Sequence, residues 1–581
     1  MNAHALGSGE LSGYADYRPI AGWRVTLSTD CAGRRTVDLL VDGSFPESLP
    51  VVVLRDRPPL NEWPHVEADG KLCIGKDGET LVGSSGAEIG REALIRARKL
   101  IDQAASGANR EDLRAEALSY WGQALRSGSP RFLSIVEPRG PTRSIVCCQY
   151  DKSVLVADDE AQMRVWLRHA QDRRGDTVVI SSGVFVCLNE PPLPGEYPST
   201  ITELELLLGT RAPEALPLFE QARAGLPDQV AVVLGAPTTN GPCLMGVLIR
   251  KGMQPRKLPG RRSKLTLPGF RPGRAPPEVV ARYWRGCATM DRSSVQRIDF
   301  SWIHGRDRDL RVPDLRGKRV VFLGCGSVGS PIAERIASAG VGSLVLIDPQ
   351  TLSGSNVGRH ELGANDLFKP KASALASRIG QRYPHIKLVR AVCLSWQDAA
   401  QANPGLLEDC DLIVSAIGSW ADEWALNRWH IGAGRTPSIV YAWTEPHAAA
   451  GHAVHVGRRG GCFACGFGPG GVPKCAVTSW PDEGGILPEP GCGGSFSPYG
   501  PVELSWVTAL ASEMVLDVLT AQAPEGLHQV WTAREARIQA AGGHWAESWI
   551  VADPARTAGG SIYELAWSPG PCRECGLDGW P

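Results

Sequence analysis

The chain carries almost no excess of charge: 61 Lys and Arg face 62 Asp and Glu over 581 residues, a formal net of -1. A balance this even implies no global attraction to nucleic acid or to a membrane surface. No apolar run approaches the roughly 20 residues of a membrane-spanning helix. The first residues, Met1-Asn2-Ala3-His4-Ala5-Leu6-Gly7, lack a basic segment leading into an apolar one. Neither spanning nor secretion is therefore expected. Internal repeats and low-complexity tracts are also missing. Acidic residues are absent from the Pro- and Gly-rich basic stretch Arg250 to Arg274, which reads as a solvated loop or as a docking surface for an acidic partner or nucleic acid. What the chain does have is length and thiols. At 581 residues it is too long for one core and suggests three or more domains. Sixteen cysteines point to a reducing, cytoplasmic setting.

One of those cysteines closes the run Trp63-Pro64-His65-Val66-Glu67-Ala68-Asp69-Gly70-Lys71-Leu72-Cys73-Ile74. The run resembles the active-site segment of ubiquitin-conjugating (E2) enzymes. Pro64 takes the Pro place of their His-Pro-Asn motif, Gly70 the Gly, Leu72 the apolar position and Cys73 the nucleophile. Upstream, Phe45-Pro46-Glu47-Ser48-Leu49-Pro50 is similar to that family's turn into its third strand. Trp63 stands where the motif's His belongs, and His65 where an Asn stabilises the developing oxyanion; a histidine donor can take that role. The plain alternative for Cys73 is a packed apolar thiol.

A second unit opens with the apolar strand Lys318 to Leu323, the turn Gly324-Cys325-Gly326-Ser327-Val328-Gly329 and a helix from Ser330 to about Ala339. The strand Ser343 to Ile347 follows and ends on Asp348. Glycines at such a turn let phosphates approach a helix N-terminus, and the acidic residue suits a ribose hydroxyl. Alone, that pattern fits an NAD or FAD enzyme equally. The residues beyond it, Asn356 and Arg359 in Ser355-Asn356-Val357-Gly358-Arg359 and Lys371 in Phe368-Lys369-Pro370-Lys371, resemble the ATP-binding positions of ubiquitin-activating (E1) enzymes and of their ThiF-type bacterial relatives. Fixed cations are what attack of a carboxylate on an α-phosphate requires. The resemblance implies ATP with Mg²⁺, and a homodimer in which Arg306 reaches the partner's nucleotide. Where the family often carries a Mg-binding Asp, Gly418 falls here, and Asp422 is the nearest substitute.

Two C-x-x-C pairs, Cys462/Cys465 and Cys572/Cys575, have the make-up of a closed four-thiolate Zn²⁺ site. Redox or incidental thiols are the alternative. Between the pairs, Cys492 sits in the glycine-rich Gly491-Cys492-Gly493-Gly494 ahead of a helical run from Val502 to Ala521. Such mobility suits a thiol that must travel to an adenylate; Cys475 is the other candidate.

The expected order is an α+β E2-like domain over 1–140, an α/β linker domain over 141–300, and a doubly wound, Rossmann-like ThiF domain over 301–581. That order resembles the fused activating and conjugating enzymes of bacterial anti-phage (CBASS) operons. The resemblance implies adenylation of a C-terminal glycine on a cGAS-like nucleotidyltransferase or ubiquitin-like protein, thioester relay from Cys492 to Cys73, and transfer to an amine on a target protein. Activation of a sulfur carrier and a noncatalytic scaffold are the rival readings.

Overall fold

The structure, a computed structural model, describes residues 3–75, 79, 84–169, 178–251, 275–384, 386–468, 471–481, 485, 487–488, 495–567 and 572–576. It divides into two compact units, one of Met1–Met163 with Asp176–Asp299 and the other of Arg164–Gly175 with Phe300–Pro581. Among the described residues no helix is long and apolar enough to cross a membrane.

The first unit begins with four antiparallel strands in sequential order, Ala3–Ala5, Ala21–Ser28, Arg34–Val41 and Val51–Leu54. One face, with Val25, Leu27, Val37, Leu39, Val52 and Leu54, packs on Ala93, Ala97, Leu100 and Ile101 of the helix Gly86–Ser106. That helix starts where Ser85 and Glu88 cap each other reciprocally: Glu88 N–H donates to Ser85 Oγ at 3.3 Å and Ser85 N–H to Glu88 Oε2 at 2.7 Å.

The rest of the unit is a seven-stranded closed barrel. The alternation of strand Gln229–Thr238 splits its side chains between two cores. Ala231 and Val233 point inward to Phe132, Ile145, Val154 and Phe185, while Val230, Val232 and Leu234 point outward to the helices Ile201–Arg211, Ala215–Ala224 and Pro277–Cys287. Two of these helices, Ile201–Arg211 and Ala215–Ala224, lie in the stretch 141–300. Lys251 ends the described part of the basic stretch; residues 252–274 lie outside the described residues.

The second unit is built on an eight-stranded sheet in the order Leu388–Val392, Ser343–Ile347, Arg319–Leu323, Leu412–Ser415, Ser438–Thr444, Ala450–Val456, Leu527–Thr532 and Ile562–Ala566. The first five strands run parallel and the last three antiparallel. Val320 and Phe322 face the helices Gly329–Ala339, Lys371–Arg382 and Pro501–Leu519, while Val321 and Leu323 face a second layer with Trp396 and Leu426. A sheet covered on both faces explains why its strands read as unbroken apolar runs. From Arg319–Leu323 the chain proceeds to one side, then returns to add Leu412–Ser415 on the other. The Gly324 turn therefore stands at the topological switch point, where doubly wound sheets open a crevice.

Candidate functional site

Cys73 lies on a strap docked against the strand Val51–Leu54. Leu54 N–H donates to Gly70 O at 2.7 Å and Leu72 N–H to Val52 O at 2.8 Å. Gly70 has φ +95°, and a Cβ there would stand 2.4 Å from Leu54 O, so only glycine lets the strap lie this close. Cys73 N–H donates to His65 O at 3.0 Å, closing the loop that presents the thiol. Cys73 is exposed, yet its sulfur is enclosed on the side of Glu67, whose Oε1 lies 3.6 Å away. Partial burial first, and then the Glu67 carboxylate, push the thiol up to about 11. Lys71 Nζ, 3.1 Å from Glu67 Oε1, pulls the other way.

His65 has φ +61°. Its Nε2 lies 3.0 Å from Asp112 Oδ2 and its Nδ1 3.4 Å from Glu116 Oε2. The expectation of an oxyanion donor thus meets a ring whose two nitrogens each face a carboxylate, with a backbone link to Cys73. Tyr120 supports the loop: its hydroxyl accepts from His65 N–H at 2.9 Å, and its carbonyl accepts from Asn61 Nδ2 at 3.2 Å. Sequence spacing pointed to neither carboxylate.

In the second unit the switch-point crevice is a cavity of 190 Å³ lined by Gly324, Gly326, Asp348, Trp396, Gln397 and Asp422, among others. Gly329 lets the helix start against the turn, since a Cβ on it would stand 2.0 Å from Gly324 O. Asp348 is 5% exposed and accepts from Cys325 N–H at 2.7 Å and Gln350 N–H at 2.8 Å. Each carboxylate oxygen keeps a further lone pair for a ligand hydroxyl.

Lys371, also 5% exposed, donates from Nζ to Gln350 Oε1 at 2.8 Å. Gln350 therefore joins Lys371 to Asp348. Arg359 stacks 4.5 Å over the Tyr499 ring and reaches Ser497 O at 3.4 Å. Asn356 instead caps its own turn, its Oδ1 accepting from Ser353 N–H at 3.2 Å and Ser353 Oγ at 2.9 Å. Arg306, at φ +50°, lies 4.8 Å over the Trp302 ring. Asp422 accepts from Gln397 Nε2 at 2.8 Å at the rim. Trp396 and Gln397 were not anticipated; they follow the strand Leu388–Val392, and their only sequence signal is their position after a strand end.

Cys462 and Cys465 are buried and Cys572 and Cys575 half-buried. Their sulfurs all lie within 4.8 Å of one another, with 3.7 Å from Cys462 to Cys572 and 3.6 Å from Cys465 to Cys575. Four thiolates at the Zn–S length sit about 3.8 Å apart on a tetrahedron, so this set fits that ion.

Cys492 lies outside the described residues. Cys475 is half-buried, with burial raising its thiol to about 11. It lines a 300 Å³ cavity with His528 and Leu565. His528 is on the strand Leu527–Thr532, four strands from Arg319–Leu323, roughly 19 Å at sheet spacing.

A glycine turn at a switch point, an acid ending the next strand and cations behind it define an E1-like nucleotide-binding module. The thiol strap on a four-stranded sheet and helix defines an E2-like one. Residues 306–540 match the ThiF family and residues 7–128 match Prokaryotic E2 family B, so the chain is a fusion of the two kinds of domain. It is 29% identical over 230 residues to "ATP-dependent ubiquitin transferase-like protein Cap2" of Pseudomonas aeruginosa, covering 39% of this chain and 40% of that one. It is 28% identical over 211 residues to "Adenylyltransferase and sulfurtransferase UBA4" of Yarrowia lipolytica, covering 34% and 51%. The matches thus span about half or less of those relatives' own lengths. Among solved structures, E. coli MccB with ATP is 16% identical, covers 46% of this chain and 69% of that chain, and has a TM-score of 0.32.

Proposed function

We propose that the chain activates the C-terminal glycine of a ubiquitin-like or cGAS-like partner protein with ATP and transfers it to an amine on a target, in bacterial anti-phage defence. The observation that carries the activating half is the crevice in which Asp348 and Lys371 share Gln350 beside the Gly324 turn. Asp348 would accept from the ribose. Lys371 and Arg359 would neutralise the phosphates, Asn356 would orient them, and Arg306 would serve the second copy of a homodimer. Mg²⁺ bound near Asp422 would add charge at the phosphates.

The partner's carboxylate attacks the α-phosphorus and pyrophosphate leaves, giving an acyl adenylate. Cys492 thiolate then displaces AMP, and Cys73 takes the acyl group by exchange of one thioester for another. An amine attacks the Cys73 thioester and the thiolate departs. To take the acyl group in the preceding exchange, Cys73 must first shed its proton, and Lys71 is the cation that offsets Glu67 beside it. The four-cysteine cluster is assigned a structural zinc, and the chain as a whole a cytoplasmic setting. The similarity to a protein named as a sulfurtransferase gives a second reading, activation of a sulfur carrier, in which Cys73 would be idle.

Nonreducing gels of variants incubated with ATP and partner separate these. Cys73→Ala should hold a reducible adduct and lose conjugation, while Cys492→Ala should form no adduct although adenylation persists. Full conjugation by Cys73→Ala would refute transfer through the E2-like domain, and an adduct surviving in Cys492→Ala would move the first thioester elsewhere.

A further inference from the structure

A cavity of 920 Å³ opens within the first unit, away from the Cys73 sulfur but against the loop that carries it. Its walls are the segment Leu60–Pro64, the end of the helix Gly86–Ser106 with Gly107, Arg110 and Leu113 just beyond it, and residues 123–125, 193–195, 197 and 292. This is the size of a small-molecule site. Its polar lining is unusually short of partners.

Asn61 is 7% exposed and Tyr197 6%. Asn61 Oδ1, Gln123 Oε1 and the Tyr197 hydroxyl are buried without a hydrogen-bond partner among the described residues. Native proteins leave few such atoms, and each calls for an explanation. Asn61 spends its amide N–H on Tyr120 O, leaving the oxygen to accept.

The charged groups show the same deficit. Arg292 is half-buried, 5.8 Å from the centres of both the Trp121 and Tyr197 rings, and donates to Ala124 O at 2.7 Å. No carboxylate pairs with it or with Arg110 among the described residues. Burial lowers the Arg292 guanidinium from its ordinary value, an effect that the more distant Glu203 carboxylate offsets only in part. Glu62 is the carboxylate in the lining, on the exposed rim.

We propose that this cavity binds a small ligand with an oxyanion head for Arg110 and Arg292 and N–H or O–H donors for the Asn61 and Gln123 amide oxygens. The loop it would touch, Asn61 to Pro64, runs directly into His65, whose carbonyl holds Cys73 N–H. A ligand here would therefore brace the thiol strap from behind. This assignment stands apart from the activation chemistry and survives its failure.

Hydrogen exchange by mass spectrometry on the full chain tests it, with inorganic phosphate, AMP and glutamate as probes. At least one probe should slow exchange at 60–63 and 104–107, and which one does so identifies the head group and its need for donors. Any effect of AMP at 324–350 reports the nucleotide crevice and is read separately. Arg110→Ala, at an exposed position, and Arg292→Gln should each raise the concentration for half-protection about tenfold or more. Absence of protection by all three probes in the wild type would overturn the proposal, as would unchanged midpoints in both variants.

Discussion

Cys73 combines exposure with a thiol held up to about 11 by burial and Glu67. The thiolate is the nucleophile, so alkylation of Cys73 should accelerate steadily with pH through the neutral and mildly alkaline range. Glu67→Gln should speed it at pH 8, because removing a carboxylate 3.6 Å from the sulfur favours the ionised form. Mass-spectrometric alkylation rates check both; a slower or unchanged Glu67→Gln would show that burial alone sets the thiol. In the crevice, Lys371→Ala or Arg359→Ala should reduce partner-dependent ATP:pyrophosphate exchange by about 10²–10³-fold, the usual scale for losing one preorganised charge donor. Undiminished exchange in both would remove the nucleotide assignment. At this scale, chain-neighbour relations were legible in the sequence, and spatial ones were not. Gly70 could be read as necessary before Cys73, and Asp348 as the acid after the second strand. The carboxylates around His65 could not, because Asp112 lies 47 positions along the chain and arrives only through folding of the helices after Gly107. Gln350 as the joint between Lys371 and Asp348 was equally invisible, being an ordinary polar residue in a loop.

Among elements, the helix Trp420–Gly432 has a pH-sensitive seat. Its Glu423 is buried beneath the end of the strand Leu412–Ser415, 3.4 Å from Ser415 Oγ. Burial raises its carboxyl from 4.5 to about 8. A carboxyl raised in the folded state binds its proton more tightly there than in the unfolded chain. Its contribution to stability is complete below pH 4.5 and is lost as pH rises towards 8. Thermal melts of Glu423→Gln should therefore show a weaker fall in Tm over that range than the wild type; identical slopes would place the titration elsewhere. At the glycine turn, Gly329→Ala would force a Cβ to 2.0 Å from Gly324 O. It should destabilise the second unit by about 1–3 kcal/mol and weaken exchange, as calorimetry and the pyrophosphate assay would report. The apolar strands of this sheet were readable because helices cover both faces. Closure of the seven-stranded barrel was not, since it depends on pairings such as Ser294 with Arg131, distant in sequence and unmarked by any motif.

For the molecule as a whole, the cysteine pairs tie Cys572–Gly576 back to the segment Cys462–Gly466, and Trp567 Nε1 adds a bond to Cys462 O at 3.0 Å. A zinc bound there adds its binding free energy to folding. Elemental analysis should find one zinc per chain, and chelation or Cys572→Ser should lower Tm and expose the segment to protease; a metal-free native protein would end that assignment. The E2-like domain shows a different kind of attachment. Its family match stops at residue 128, but Trp121 Nε1 donates to Ser293 O at 2.9 Å, and the indole is buried with barrel residues. A gene breakpoint placed at the end of that match would strip Trp121 of its cover and leave the barrel with an open scar. The conjugating module of this lineage is therefore expected to be inherited with its barrel as one cassette, and the two should diverge together.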